Sequence, residues 1–228
     1  MLNGAAGPVK ASIYDVRVVD AEKGFVSCLP QAETVKDVED SKRWAATMWS
    51  PEFLGSVVAA FVAGCILMLN DRHQSNMMIT EVDGAKRFAH IDFGWFGLER
   101  PMLDAGDFPI PAGLKKLLVE TNGFKERTTG RQWPSEWAKL CDICWDALQA
   151  LRQREEVILE SWSKLLDTLK LYDPRFGPEI GPTFRTLRHR LLLSRSDFDA
   201  LMERGTAASY WKNRAHSFGQ FNLSFSAS

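Results

Sequence analysis

The stretch "LNDRHQSNMMITEVDGAKRFAHIDFG", Leu69 to Gly94, decides the reading of this chain. It carries an acid beside a histidine (Asp71, His73), an asparagine five residues after that acid (Asn76), and a second acid in "DFG" (Asp92). Phosphoryl transfer asks a protein for little covalent chemistry. It needs magnesium held against phosphates, a hydroxyl oriented for in-line attack, and charge neutralisation. Magnesium takes carboxylate and amide oxygens, and Asn76 and Asp92 are those ligand types. The intervening residues read as a hairpin, with strands over Met77 to Thr80 and Arg87 to Ile91 and a turn at Asp83-Gly84. A hairpin brings its ends together, so Asn76 and Asp92 are expected to share one ion. Asp71 lies on the same loop as Asn76, placed to accept or orient the proton of an attacking hydroxyl.

Outward from this stretch, the chain divides into two textures. Residues 12 to 38 read as strand: "IYDVRVVD" alternates in part, Lys23-Gly24 offers a turn, and "FVSCLP" ends at Pro30. Beyond residue 40 the pattern is helical. Residues 51 to 69 form one apolar helix leading into the motif. Residues 135 to 153 place Trp137, Leu140, Cys141, Cys144, Leu148 and Leu151 on one face, and 155 to 171 repeat this through Ile158, Trp162, Leu165 and Leu169. Ser196 is the expected cap of a short helix carrying Phe198 and Leu201. Asp92 to Lys115 reads as a loop without periodicity. The expected fold class is therefore mostly α with small β elements (α+β).

Composition bounds the function. The chain has 228 residues, 45% apolar and 25% charged, with a net charge of −1. A near-neutral balance gives no global attraction to nucleic acid or to an anionic membrane, so nucleic acid is not an expected partner. The cysteines Cys28, Cys65, Cys141 and Cys144 form no disulfide ladder, which suits a reducing compartment. "CDIC" at Cys141 to Cys144 has metal-like spacing, but no second pair follows and it falls on an apolar helix face. Trp133, Trp137, Trp145 and Trp162 read as core and helix-packing residues. Lys115-Lys116 and "RTLRHR", Arg185 to Arg190, read as solvated faces. The run "GSVVAAFVAGCILML", Gly55 to Leu69, is short for a membrane span, and the N-terminus has no apolar signal core.

"DRHQSN" followed by "HIDFG" resembles the catalytic and activation loops of the phosphatidylinositol 3-/4-kinase superfamily, whose relatives include large protein kinases on the same catalytic domain. "GFVSCLPQAETVKDV", Gly24 to Val38, resembles the hinge strand whose backbone reads adenine, with Ser27 and Leu29 flanking the hydrogen-bonding backbone. "IPAGLKKLLVETNG", Ile110 to Gly123, resembles the segment after the activation loop. Leu187 to Phe221 resembles the C-terminal helices, and "DFGWFGLERP" leans toward the 4-kinases.

The resemblance implies roles. Asp71 would be the catalytic aspartate and His73 would steady the transferring phosphate. Asn76 and Asp92 would hold magnesium, Ser27 and Leu29 would flank ATP's adenine, and Arg72 would be structural. Apart from the resemblance, His90, beside "IDFG", reads as a residue that hydrogen-bonds the loop rather than one that acts chemically. Asn70 stands where the family has glycine, and asparagine tolerates positive φ. The implied organisation is a remnant of small lobe and hinge strand at 1–40, and a helical large lobe at 41–228 with a catalytic loop at 69–79 and an activation loop at 92–113. The small lobe is expected to be largely missing. "NGAAG", Asn3 to Gly7, is too near the hinge for a phosphate loop, and Lys10 is a poor substitute for the strand lysine. That leaves a separate small lobe or a regulatory chain as a partner. The implied activity is ATP- and magnesium-dependent phosphorylation of an inositol lipid by a cytoplasmic protein peripheral to a membrane. A related protein kinase and a non-catalytic kinase-derived binding module are the alternatives.

Overall fold

In the computed structural model the described residues are 9–18, 24–44, 50–93, 110–120, 124–125, 132–172 and 180–204. They are mostly helical, with three small antiparallel sheets among them. The expected fold class is what is found.

The frame of the motif is a helix and a hairpin. Helix α2, Pro51–Ile66, starts where Ser50 accepts the Phe53 amide at 3.0 Å, with Pro51 in the first turn where its missing N–H costs nothing. (Helix α1, Val35–Asp40, precedes it.) α2 is apolar nearly all round and is buried nearly all round. It ends at the Leu67 cap, after which Met68 takes φ 52° and turns the chain into the motif. The hairpin is β4, Met77–Val82, and β5, Ala85–His90, in register Met77 with His90 and Val82 with Ala85. Asp83 and Gly84 both have positive φ, 53° and 75°, as a two-residue type I′ turn requires.

Side chains alternate across the hairpin. Met77, Ile79, Phe88 and His90 are buried. Phe88 meets Phe61 of α2 edge to face at 5.7 Å. β5 is a sheet edge, and the Phe88 amide finds its partner in Ser56 of α2, 2.7 Å away. On the other edge β3, Glu33–Thr34, pairs with β4.

The remaining helices complete one core. α3 is Ala112–Glu120, α4 Glu136–Arg152, α5 Glu155–Tyr172, α6 Ile180–Leu191 and α7 Arg195–Arg204. α4 buries Trp137, Leu140, Cys141, Cys144 and Leu148 as its periodicity predicts. Both cysteines of "CDIC" are therefore core residues, and burial pushes the Cys141 thiol up to about 12. Arg190 of α6 reaches across to donate to the Cys65 carbonyl at 2.5 Å, neutralising the C-terminal end of α2, which carries no basic residue in its own last turn. That corrects the reading of Arg185 to Arg190 as wholly solvated, since Arg190 is buried.

Other expectations need adjustment. The first strands are short, β1 at Val16–Val18 and β2 at Gly24–Val26, antiparallel to each other. The strand reading to residue 38 fails because Thr34 and Asp37 form a capping box that starts α1. The expected loop to Lys115 ends earlier, at the start of α3. On α5, Leu165 is exposed and Leu166 is buried instead, since Ile158, Trp162 and Leu166 follow a strict four-residue step. The cap of α7 is Ser194, whose hydroxyl accepts the Asp197 amide at 3.1 Å; Ser196 lies inside the first turn. Residues 94–109, with the apolar part of the expected activation loop, and the C-terminal residues from 205 lie outside the described residues.

Candidate active site

The connection between α2 and the hairpin, residues 69–76, carries the candidate groups. Its anchor is Arg72, 1% exposed. The guanidinium donates to the Asn70 carbonyl at 2.7 Å, to the Ile91 carbonyl at 2.5 Å and to the Asp92 carbonyl. One planar fork thus binds the backbone of "DRH" to the backbone of "IDF". The structural role expected of Arg72 is the one it has.

Asn76 supplies the second link. Its side-chain amide donates to the Asp71 carbonyl at 2.8 Å and faces the Asp71 carboxylate at 3.4 Å. Its main-chain carbonyl accepts from Ile91 at 3.1 Å, one residue short of Asp92. Asn76 is therefore hydrogen-bonded to Asp71 on one side and to the residue before Asp92 on the other, so the two ends of the hairpin do come together. With its NH2 turned to Asp71, Asn76 keeps Oδ1 as its ligand end. The Asn76 amide oxygen and the Asp71 carboxylate beside it are oxygen donors of the kind magnesium takes.

Asp71 and Asp92 both have φ 56°. The left-handed region is uncommon for non-glycine residues and aspartate is among those that enter it. Asn70 is not among the positive-φ residues. It is buried and lends its carbonyl to Arg72, so the expectation that it substitutes for glycine through a positive φ is wrong. The left-handed turns fall at Met68 and Asp71, on either side of it.

The His73 main chain accepts from the Asn76 amide at 2.9 Å, and Nδ1 accepts from the Ser75 amide at 3.2 Å. An acceptor Nδ1 places the proton of the neutral ring on Nε2. His90 differs. It is buried against α2, is held by the Ala60 main chain, and its Nδ1 has no partner among the described residues. Burial, assisted by the Arg72 charge, lowers its pKa to about 3. It braces the hairpin against α2 and does not hydrogen-bond the loop as expected.

Ser27 and Leu29 line a cleft of about 350 Å³ with Lys10, Tyr14, Thr80 and Arg87 among its other walls. The Ser27 amide is engaged by the Asp15 carbonyl at 2.9 Å. Lys10, discounted on sequence grounds, lines the same cleft. The cleft floor is tied to the hairpin by the Thr80 hydroxyl, which donates to the Pro30 carbonyl at 2.6 Å.

Two neighbours of the site were not read from the sequence. The Tyr14 ring lies 6.1 Å from that of Phe93, and its phenol hydrogen-bonds the Asp92 main chain. Burial raises its pKa and the Arg72 charge opposes that rise. Glu39 of α1 accepts from the Gln74 side chain and, at 2.8 Å, from the Gly113 amide. Tyr14 sat in a strand pattern that hid it, whereas the acid at position 39 carries no local signal.

Residues 35–170, more than half of the chain, match the family described as phosphatidylinositol 3- and 4-kinase. The matched span contains Asp71, His73, Asn76 and Asp92 together with the helix and hairpin that hold them. On that match the chain belongs to the phosphatidylinositol 3- and 4-kinase family, whose chemistry is kinase-type phosphoryl transfer.

Proposed function

We propose that this protein transfers the γ-phosphoryl group of magnesium-bound ATP to a hydroxyl of an inositol phospholipid headgroup, position 4 being favoured. The observation that carries the reading is the linkage through Asn76, which hydrogen-bonds Asp71 on one side and Ile91, next to Asp92, on the other. Asp71 orients the attacking hydroxyl and accepts its proton. His73 offers Nε2–H to an oxygen of the transferring phosphate. Asn76 and Asp92 hold magnesium, which when bound neutralises phosphate charge. Adenine lies along Ser27 and Leu29 in the cleft. Residues 1–40 are read as a remnant of the small lobe with the hinge strand, and 41–228 as the helical large lobe. The "DFGWFGLERP" run and the C-terminal segment support the 4-kinase preference. The lipid acceptor implies work at a membrane surface. That contact is read as peripheral, and among the described residues no helix is long and apolar enough to cross a membrane.

The test uses the full-length protein with radiolabelled ATP, magnesium, phosphatidylinositol vesicles and a mixed peptide substrate. Labelled lipid is expected in excess over labelled peptide. Asp92→Asn, which tolerates the left-handed backbone, is expected to lower kcat roughly 10³-fold with no fall in Tm. Labelled peptide without labelled lipid moves the reading to a protein kinase. Retention of a tenth of the activity by Asp92→Asn removes Asp92 from the metal site.

A further inference from the structure

We infer that Glu39 is a positioning residue of the catalytic loop, a single carboxylate that spaces the loop from helix α3. The inference rests on the reading of residues 71–92 given above. One Glu39 oxygen accepts from the Gln74 side-chain amide, the other from the Gly113 amide at 2.8 Å. α1 also grips Gln74 by its main chain, the Lys36 amide donating to the Gln74 carbonyl at 3.3 Å. Gln74 follows His73 directly and precedes Asn76 by two residues, so a displacement at 74 is passed to both. The far end of the span is equally fixed. Trp44, 5% exposed, lies so close that a Cβ on Gly113 would stand 2.6 Å from the indole nitrogen. Neither rigid ring nor helix start can yield, and glycine is what the contact permits.

Both partners of Glu39 in this bridge are neutral donors. The bridge itself therefore calls for length and two hydrogen-bonding ends. Glutamine has both: its carbonyl serves Gly113, and its NH2 serves Gln74 once the Gln74 amide turns over. Aspartate keeps the charge but is one methylene too short to hold both. A role through charge predicts the reverse order of the two variants.

Hydrogen exchange of the full-length protein, followed by mass spectrometry on peptides covering 70–76 and 110–118, reads the bridge without reference to activity. Glu39→Asp and Glu39→Ala are expected to raise exchange about tenfold in both peptides, and Glu39→Gln to leave both near wild type. On phosphatidylinositol vesicles, Glu39→Asp is expected to lower kcat by roughly 10²-fold, as small misplacement of catalytic groups does, with KM for ATP unchanged and Glu39→Gln rescuing the rate. If Glu39→Ala fails to fold, Glu39→Asp carries the test. Exchange that rises in one peptide alone, or in neither, overturns the bridge. So does a Glu39→Asp variant that outperforms Glu39→Gln. A wild-type protein that phosphorylates neither lipid nor peptide defeats the functional reading, while the exchange data still decide the bridge.

Discussion

Two regions face the candidate site and are held in opposite ways. On one side the β4–β5 hairpin is pressed on α2 through Phe61, Phe88 and Ile79, none more than 2% exposed, and is locked to the motif by Arg72. On the other, the β1–β2 pair leaves Phe25 72% and Val16 60% exposed, and the segment just before β1 meets the site through Tyr14. A sheet of two three-residue strands has little burial to stabilise it. The difference teaches that the groups proposed for magnesium and the proton are set by the core, whereas the cleft wall is set by a thin, locally paired ribbon. Substitutions should then separate two kinds of failure, collapse of the site and loosening of its wall.

The largest effect is expected at Arg72. Arg72→Met removes the donor that serves the buried Asn70 carbonyl and the partly buried Ile91 and Asp92 carbonyls, and empties a buried side-chain site, a loss of about 3–5 kcal/mol. At roughly 2–4 °C per kcal/mol for a chain of this size, Tm should fall by roughly 6–20 °C, with activity abolished. A fall within two degrees would show that the loop is held by other contacts and would dissolve the contrast. Next comes a pair of aromatic truncations. Phe88→Ala should cost about 3–5 kcal/mol in urea unfolding, and Phe25→Ala only about 0.5 kcal/mol or less. Equal costs would mean that the ribbon is as well packed as the hairpin.

The smallest effect concerns pH. His90 has its pKa lowered to about 3 by burial, against about 6.5 in an unfolded chain. Below pH 6.5 the unfolded chain takes a proton that the folded one refuses. The stability is therefore fully present above 6.5 and lost as pH falls toward 3, with a slope approaching 1.4 kcal/mol per pH unit. Urea unfolding in the presence of a chelator, between pH 7 and 5, should show this slope in the wild type and a reduced one in His90→Gln. Identical slopes would mean that the ring is hydrated and the hairpin less tightly seated than its burial implies.

Much of the hairpin side was legible in the sequence, because its signals are local. Asp83-Gly84 names its own turn, the "DRHQSN" and "HIDFG" spacing brings its ends together, and α2 announces itself by an unbroken apolar run. What escaped depends on tertiary contact or on fine register. Leu165 and Leu166 are equivalent by composition, and only the partner helices decide which is buried. Ser194 and Ser196 stand two positions apart at the start of the same helix, and the backbone geometry makes the first the cap while the second lies in the first turn. The Thr34–Asp37 capping box could have been read and would have placed α1. Tyr14 and Glu39 could not have been read, since each gains its meaning from residues more than thirty positions away.

The I′ turn at Asp83-Gly84 has a consequence for the order in which the molecule assembles. It closes a hairpin whose partner helix begins only some thirty residues upstream, so the frame from Ser50 to Phe93 is built from contacts of short sequence separation. Such contacts carry a small loop-closure entropy and form early. The Arg190–Cys65 bond spans 125 residues and comes at the opposite extreme. The expected folding nucleus is therefore α2 with the hairpin, and φ-values near one at Phe88 but near zero at Leu187 are the measurement that bears on it. The C-terminal helices then arrive on a scaffold already cast. They govern how long the native state persists, while the geometry of the catalytic loop is inherited from its earliest seconds.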